Sequence, residues 1–133
     1  MAHILVAIDS DEDRATAQVK SLKSLDLDPS ATHVQLVHVF TNNPEGASVN
    51  QVAAIRRARK TLEAAGFDTS IESRSGDPAP EILKAAEEDD VDVISVAGRK
   101  RSPTGKAIFG SVAQEVFLNT ERPVLLSSLT VTR

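Results

Sequence analysis

Cysteine is absent from the 133-residue chain, and four phenylalanines supply all of its 3% aromatic content. Without thiols there is no disulfide, no thiol nucleophile and no Cys-based zinc or iron–sulfur centre. So few rings exclude a stacking platform for single-stranded nucleic acid. No apolar run approaches the length needed to cross a bilayer. The opening Ile4-Leu5-Val6-Ala7-Ile8-Asp9 lacks the basic flank and long apolar core of a secretion signal, so the expected compartment is the cytoplasm. A formal charge of −4 lacks the net basic character of bulk DNA or RNA binders. His3, His33 and His38 are scattered, with no spacing that builds a metal site, and His38 reads as a satisfied, buried histidine. No serine has nucleophile-elbow context, and no Ser/His/Asp set follows from spacing. No Gly-Lys-Ser/Thr closes a strand-to-helix turn as a Walker loop does.

What is present is an alternation of short apolar runs with helical periodicity. Hydrophobic residues make up 41% and charged residues 26%, ordinary for a globular chain, and one domain over residues 1–133 is expected. Ile4 to Ile8 is nearly unbroken in apolar character, which suits a parallel strand buried on both faces. Ser10-Asp11-Glu12-Asp13 opens a helix with a capping residue and acids beside the positive end of the dipole, and Ala15, Val19 and Leu22 form its buried stripe. Val34 to Phe40 is the second strand. Ser48 followed by Gln51 has capping-box form and starts a long helix with Val49, Val52, Ile55 and Leu62 inward and Gly66 as its C-terminal cap. Phe67 to Arg74 is a more polar, edge-side strand. Asp77-Pro78 starts a third helix with Ile82, Leu83 and Ala86 facing the sheet. Val91 to Ala97, Gly110 to Asn119 and Pro123 to Leu126 supply the last strand, helix and strand.

Five strands alternating with four helices predict a parallel sheet covered on both faces. Ligands of such sheets lie at the C-terminal ends of the strands, where Asp9, Val39-Phe40 and Gly98 fall. Between Gly98 and Gly110 runs a loop with Arg99, Lys100, Arg101, Gly105 and Lys106. The helix opened by Gly110-Ser111 presents free backbone N–H groups to that loop, a site suited to phosphate. Each residue also has a plainer reading: a solvated basic loop, turn glycines at Gly105 and Gly110, Ser111 as a helix start, and Asp9 as a cap where the chain leaves the first strand.

The opening Ile-Leu-Val-Ala-Ile-Asp, the Leu-Val-His-Val strand, Gly76-Asp77-Pro78, Gly-Ser-Val before the fourth helix and the closing Arg-Pro-Val-Leu together resemble universal stress proteins of the single-domain type. The loop from Gly98 to Lys106 is similar to archaeal versions. The resemblance spans essentially the whole chain. It implies a three-layer α/β fold of the adenine-nucleotide α-hydrolase-like kind, with strand order 3-2-1-4-5, a homodimer, and ATP binding, with magnesium, in some members but not others. By that resemblance Asp9 and Val39 hold the adenosine end, Gly98 lies beside the ribose, and Gly110, Ser111 and Val112 form the phosphate site. Arg99, Arg101 or Lys106 would meet phosphate oxygens directly. The nucleotide-binding signature of the family is Gly, two residues, Gly, nine residues, Gly, then Ser or Thr. Its middle glycine falls on Arg101 here, and Gly98 and Gly110 stand one residue closer than the signature implies.

Two functions follow. The first is a stress-response, ATP-binding regulatory module, with any ATP hydrolysis slow and incidental. The second is a module without nucleotide that meets a protein partner through its dimer face and basic loop. An enzyme of the wider superfamily needs a second substrate pocket, for which 133 residues leave little room. Val124-Leu125-Leu126 is an apolar edge strand suited to pairing with a second copy. Ser102 and Thr104 have the exposed, Pro-flanked setting of phosphorylation sites.

Overall fold

The computed structural model describes residues 1–41, 48–98 and 110–128. Its elements are β1 (Ala2–Ala7), α1 (Glu12–Ser24), β2 (Thr32–Phe40), α2 (Ala53–Ala64), β3 (Asp68–Ser75), α3 (Pro78–Glu88), β4 (Val93–Gly98), α4 (Ser111–Leu118) and β5 (Val124–Ser128), with short 3-10 turns at Pro29–Ala31 and Val49–Gln51. The strands are parallel, in the order β3-β2-β1-β4-β5, as the resemblance implies. Strand alternation divides the core in two. Ile4, Val6, Val34 and Leu36 face α1 and α2, where Val19, Leu22, Ile55 and Leu62 pack on them. Leu5, Val37, Ile94 and Val96 face α3 and α4. His38 is buried, and its ring pairs through Nδ1 with the Ile8 carbonyl at 2.8 Å.

Local chemistry sets the element ends. Asp11 caps α1, its Oδ1 accepting from the N–H groups of Asp13 (2.9 Å) and Arg14 (3.0 Å). After α2, Gly66 takes φ +94°, with Gly66 N–H donating to Glu63 O and Phe67 N–H to Leu62 O, both at 3.0 Å. This is the two-bond C-terminal cap in which a left-handed residue reverses the chain. Asp90 (φ 47°) does the same after α3, where Val91 N–H donates to Ala86 O at 3.1 Å. These two caps correct the expected strand starts. Phe67 and Val91 are buried as the apolar residues that close helix caps, and the strands begin at Asp68 and Val93. The second helix is corrected as well. Ser48 N–H does reach Gln51 Oε1 at 2.9 Å, but this pair closes only the 3-10 turn. Val52 is extended (φ −80°, ψ 113°), and α2 starts after it.

Two side chains tie helices to the sheet. The buried Gln18 of α1 donates from Nε2 to Ala7 O (2.9 Å) and Ser95 O (3.3 Å), bridging β1 and β4 close to where they part. Arg74 of β3 pairs with Glu72 (2.6 Å), Glu81 (3.0 Å) and Glu88 (3.3 Å), the last two on α3. The Arg74 hydrogen bond holds the Glu81 carboxyl below the usual carboxylate range, against a smaller opposing effect of burial. A depressed folded pKa contributes stability that is complete above the unfolded value and is lost as pH falls through the folded one. Arg74→Met is therefore expected to melt lower than the wild type at pH 7, with the gap narrowing on acidification below the usual carboxylate range. Melting curves from pH 7 to pH 3 check this. A gap that stays constant across that range would show that Arg74 acts by packing alone.

Candidate functional site

The pairing of β1 with β2 runs to Ala7↔Val37 and that of β1 with β4 to Val6↔Ser95. β1 ends there while β2 and β4 run on to Phe40 and Gly98, and the Ile8 carbonyl receives the His38 ring. Two chambers open there. The first, about 460 Å³, is lined by Ile8 and Asp9, by His38, Val39 and Phe40 of β2, by Pro78 and Ile82 of α3, and by Val96, Ala97 and Val112. The second, about 410 Å³, is lined by Asp9, Arg14, Ala97, Gly98, Gly110, Ser111 and Val112. Asp9, Ala97 and Val112 belong to both, so the chambers form one bipartite cleft. Their combined size falls in the range of small-molecule sites.

The structure brings together every described residue singled out above. Asp9 both caps and lines: its Oδ1 accepts from Asp11 N–H at 2.8 Å, and the residue borders both chambers. Val39 walls the first chamber, beyond the end of β1. Gly98 is the buried last residue of β4. Gly110 is the N-cap of α4 and offers no side chain to the first-turn N–H groups. A Cβ there would meet nothing within 4 Å among the described residues. Ser111 is exposed at the first position of α4, and Val112 is half-buried between the chambers. Arg99, Arg101, Ser102, Thr104, Gly105 and Lys106 lie outside the described residues.

Sequence reasoning missed Arg14. Its Nη1 donates to Asp9 Oδ2 (3.1 Å) and Asp11 Oδ2 (3.4 Å), and the side chain borders the second chamber. The available signal was a lone cation in the first turn of a helix, where the dipole favours acids. The part played by His38 in the wall was missed too: its ring stands edge-on to Phe40, with centroids 4.6 Å apart.

The register also builds a hydrogen-bonded trio that spacing concealed. His33 lies opposite Asp68, its Nδ1 2.6 Å from Asp68 Oδ2 and its Nε2 2.8 Å from Ser70 Oγ. Ser70 sits within a regular strand, the Asp68 side chain is 66% exposed, and none of the three lines either chamber. The trio is a cross-strand polar contact at the sheet edge. Among the described residues no group of three or more His, Asp and Glu gathers as a metal site, and no helix is long and apolar enough to cross a membrane.

Comparison with known proteins agrees with this architecture. A universal stress protein of Methanothermobacter thermautotrophicus is 56% identical over 43 residues, a stretch covering 32% of this chain and 29% of that protein's length. A universal stress protein structure from Archaeoglobus fulgidus superposes with a TM-score of 0.74 at 27% identity, covering 96% of this chain and 99% of that one. A family protein from Arabidopsis thaliana, solved with AMP bound, gives a TM-score of 0.74 at 16% identity, over 98% of this chain and 94% of that one, and shows the shared fold alone. The model of the universal stress protein family matches residues 1–128. With the sheet order, the two-layered core and the cleft at the strand ends, that match places the chain in the universal stress protein family.

Proposed function

We propose that the chain is a regulatory module that binds an adenine nucleotide, ATP with magnesium foremost, in the bipartite cleft, and works as a homodimer in the cytoplasm. The observation that supports this most is the meeting of the two chambers at Asp9, Ala97 and Val112. The first, walled by Val39, Phe40, Ile82 and Val96, suits a nucleoside. The second, with Gly98, Gly110 and Ser111 at the start of α4, whose cap residue has no side chain, suits phosphate. The AMP-bound relative of the same fold supports the choice of adenine. Among the described residues Asp9 is the only carboxylate that lines either chamber, so magnesium would be held chiefly by ligand phosphates and water. The reading is of a binding protein and not of an enzyme. Steady ATP turnover that disappears on replacing Asp9 or Ser111 in folded protein would overturn that part.

The test is thermal unfolding with ATP and magnesium, with GTP and pyrophosphate as controls at fixed ionic strength. A rise with ATP that neither control reproduces supports a site that reads adenosine. Equal rises with ATP and pyrophosphate would reduce it to an anion site.

A second reading, an interaction module without nucleotide, draws on the opposite edge. Phe117 (64% exposed) and Leu126 line an apolar groove of about 180 Å³ with Val96, Ala113 and Val124, beside β5, the edge strand of the sheet among the described residues. Both readings expect pairing of two copies through Val124-Leu125-Leu126. Light scattering at micromolar concentration is expected to give a dimer for the wild type and a monomer for Leu126→Lys, because a buried unpaired ammonium opposes association. A monomeric wild type would overturn the pairing.

A further inference from the structure

We propose that Arg14 is the residue through which the cleft reads ligand charge, selecting nucleotides that carry phosphate over the bare nucleoside. The inference rests on the nucleotide reading above and extends it to ligand class. Among the described residues Arg14 is the only lysine or arginine lining either chamber. It stands third in α1, where the helix dipole disfavours a cation, and only local acids make the position tolerable. Those acids are Asp9 and Asp11, whose Oδ2 atoms both accept from Nη1, at 3.1 and 3.4 Å. A guanidinium has five N–H donors, and three of them belong to Nε and Nη2. The fork is thus anchored through one nitrogen, with its side chain 28% exposed, at the border of the chamber formed by Gly98, Gly110 and Ser111.

The anchoring has a consequence for the ligand. Asp9 belongs to both chambers and Arg14 to the second, so their ion pair joins the nucleoside end to the phosphate end. A phosphate in the second chamber competes with Asp9 for the guanidinium. As the fork turns to phosphate, Asp9 Oδ2 is released towards the nucleoside. Without the arginine, a phosphate would instead meet Asp9, with Asp11, Glu12 and Asp13 close by in sequence and no other guanidinium among the described lining residues to offset them. An uncharged nucleoside gains little from Arg14 and loses little without it.

Titration calorimetry with adenosine, AMP and ATP on the wild type, Arg14→Gln and Arg14→Lys tests the proposal, at two salt concentrations. Expected for the wild type is an affinity that rises with phosphate count. Expected for Arg14→Gln is adenosine affinity within about twofold of the wild type, a loss of roughly tenfold or more for AMP and ATP, and a flatter salt dependence for ATP. Arg14→Lys keeps the charge without the fork and is expected to recover part of the loss, which keeps the test open if Arg14→Gln melts early. Equal losses for adenosine and ATP would show that Arg14 only pins the Asp9–Asp11 turn, and unchanged ATP affinity would show that it has no part in binding. Either result overturns the inference while the nucleotide reading stands. A wild type that binds none of the three overturns the nucleotide reading itself, and the inference with it.

Discussion

Leu36→Ala is expected to lower the melting temperature by about 6–25 °C. Leu36 is fully buried in the middle of β2, opposite Val6 of β1 and Ile71 of β3, and belongs to the core under α1 and α2. Truncating such a leucine removes its transfer free energy and leaves a cavity that the surrounding strands close only in part, at a cost of about 2–5 kcal/mol. For a chain of this length one kcal/mol corresponds to about 3–5 °C, between the values for smaller and larger domains. The sheet centre relaxes less than an edge because its backbone is hydrogen-bonded on both sides. Leu36→Met, which conserves volume, is expected to cost less than about 1.5 kcal/mol. Thermal denaturation of the two variants checks both numbers, and a loss for Leu36→Ala no greater than for Leu36→Met would show that this layer is not close-packed.

Ser111→Leu is expected to abolish most of the stabilisation that ATP confers while leaving the unliganded protein almost unchanged. At about a hundred times its dissociation constant a ligand stabilises the folded state by roughly 2.7 kcal/mol, which here means about 8–13 °C. Ser111 is exposed at the first position of α4, and Gly110, not Ser111, is the cap residue. Leucine is a good helix former, so the helix keeps its start. Its isobutyl group occupies space in the chamber shared with Gly98, Gly110 and Arg14, where phosphate is proposed to sit. The pair of melting curves, with and without ATP, separates the two effects. A full ATP shift in Ser111→Leu would remove the phosphate chamber from the proposal, whereas a large fall in the unliganded melting temperature would mean that Ser111 supports the fold.

These expectations draw on two kinds of information. The apolar run from Ile4 to Ile8 announced a strand buried on both faces, that from Val34 to Phe40 announced a second strand, and the stripe of Ala15, Val19 and Leu22 announced a helix. Gly66 at φ +94° and the capped, acidic opening of α1 were equally legible, because each depends on contacts within a few residues. The order of the strands came through the resemblance, since five strands joined by helices admit several orders. Apolar residues at helix ends misled: Phe67 and Val91 were counted into strands because an apolar letter next to a strand looks the same whether it pairs or closes a cap. The long helix lost its first turn because the Ser48–Gln51 pair satisfies a 3-10 turn as well as an α-helix, and the extended Val52 follows.

The cleft divides along the same line. Asp9, Val39, Gly98 and Gly110 were each recognisable as the end of a strand or the start of a helix. That they line one bipartite space, that Arg14 borders one half of it and that Gln18 ties β1 to β4 follow from where each strand ends relative to its neighbours. Periodicity and caps are written in neighbouring residues, because they arise from backbone geometry over one or two turns. Register arises from packing between segments tens of residues apart, and no local pattern encodes where those segments meet.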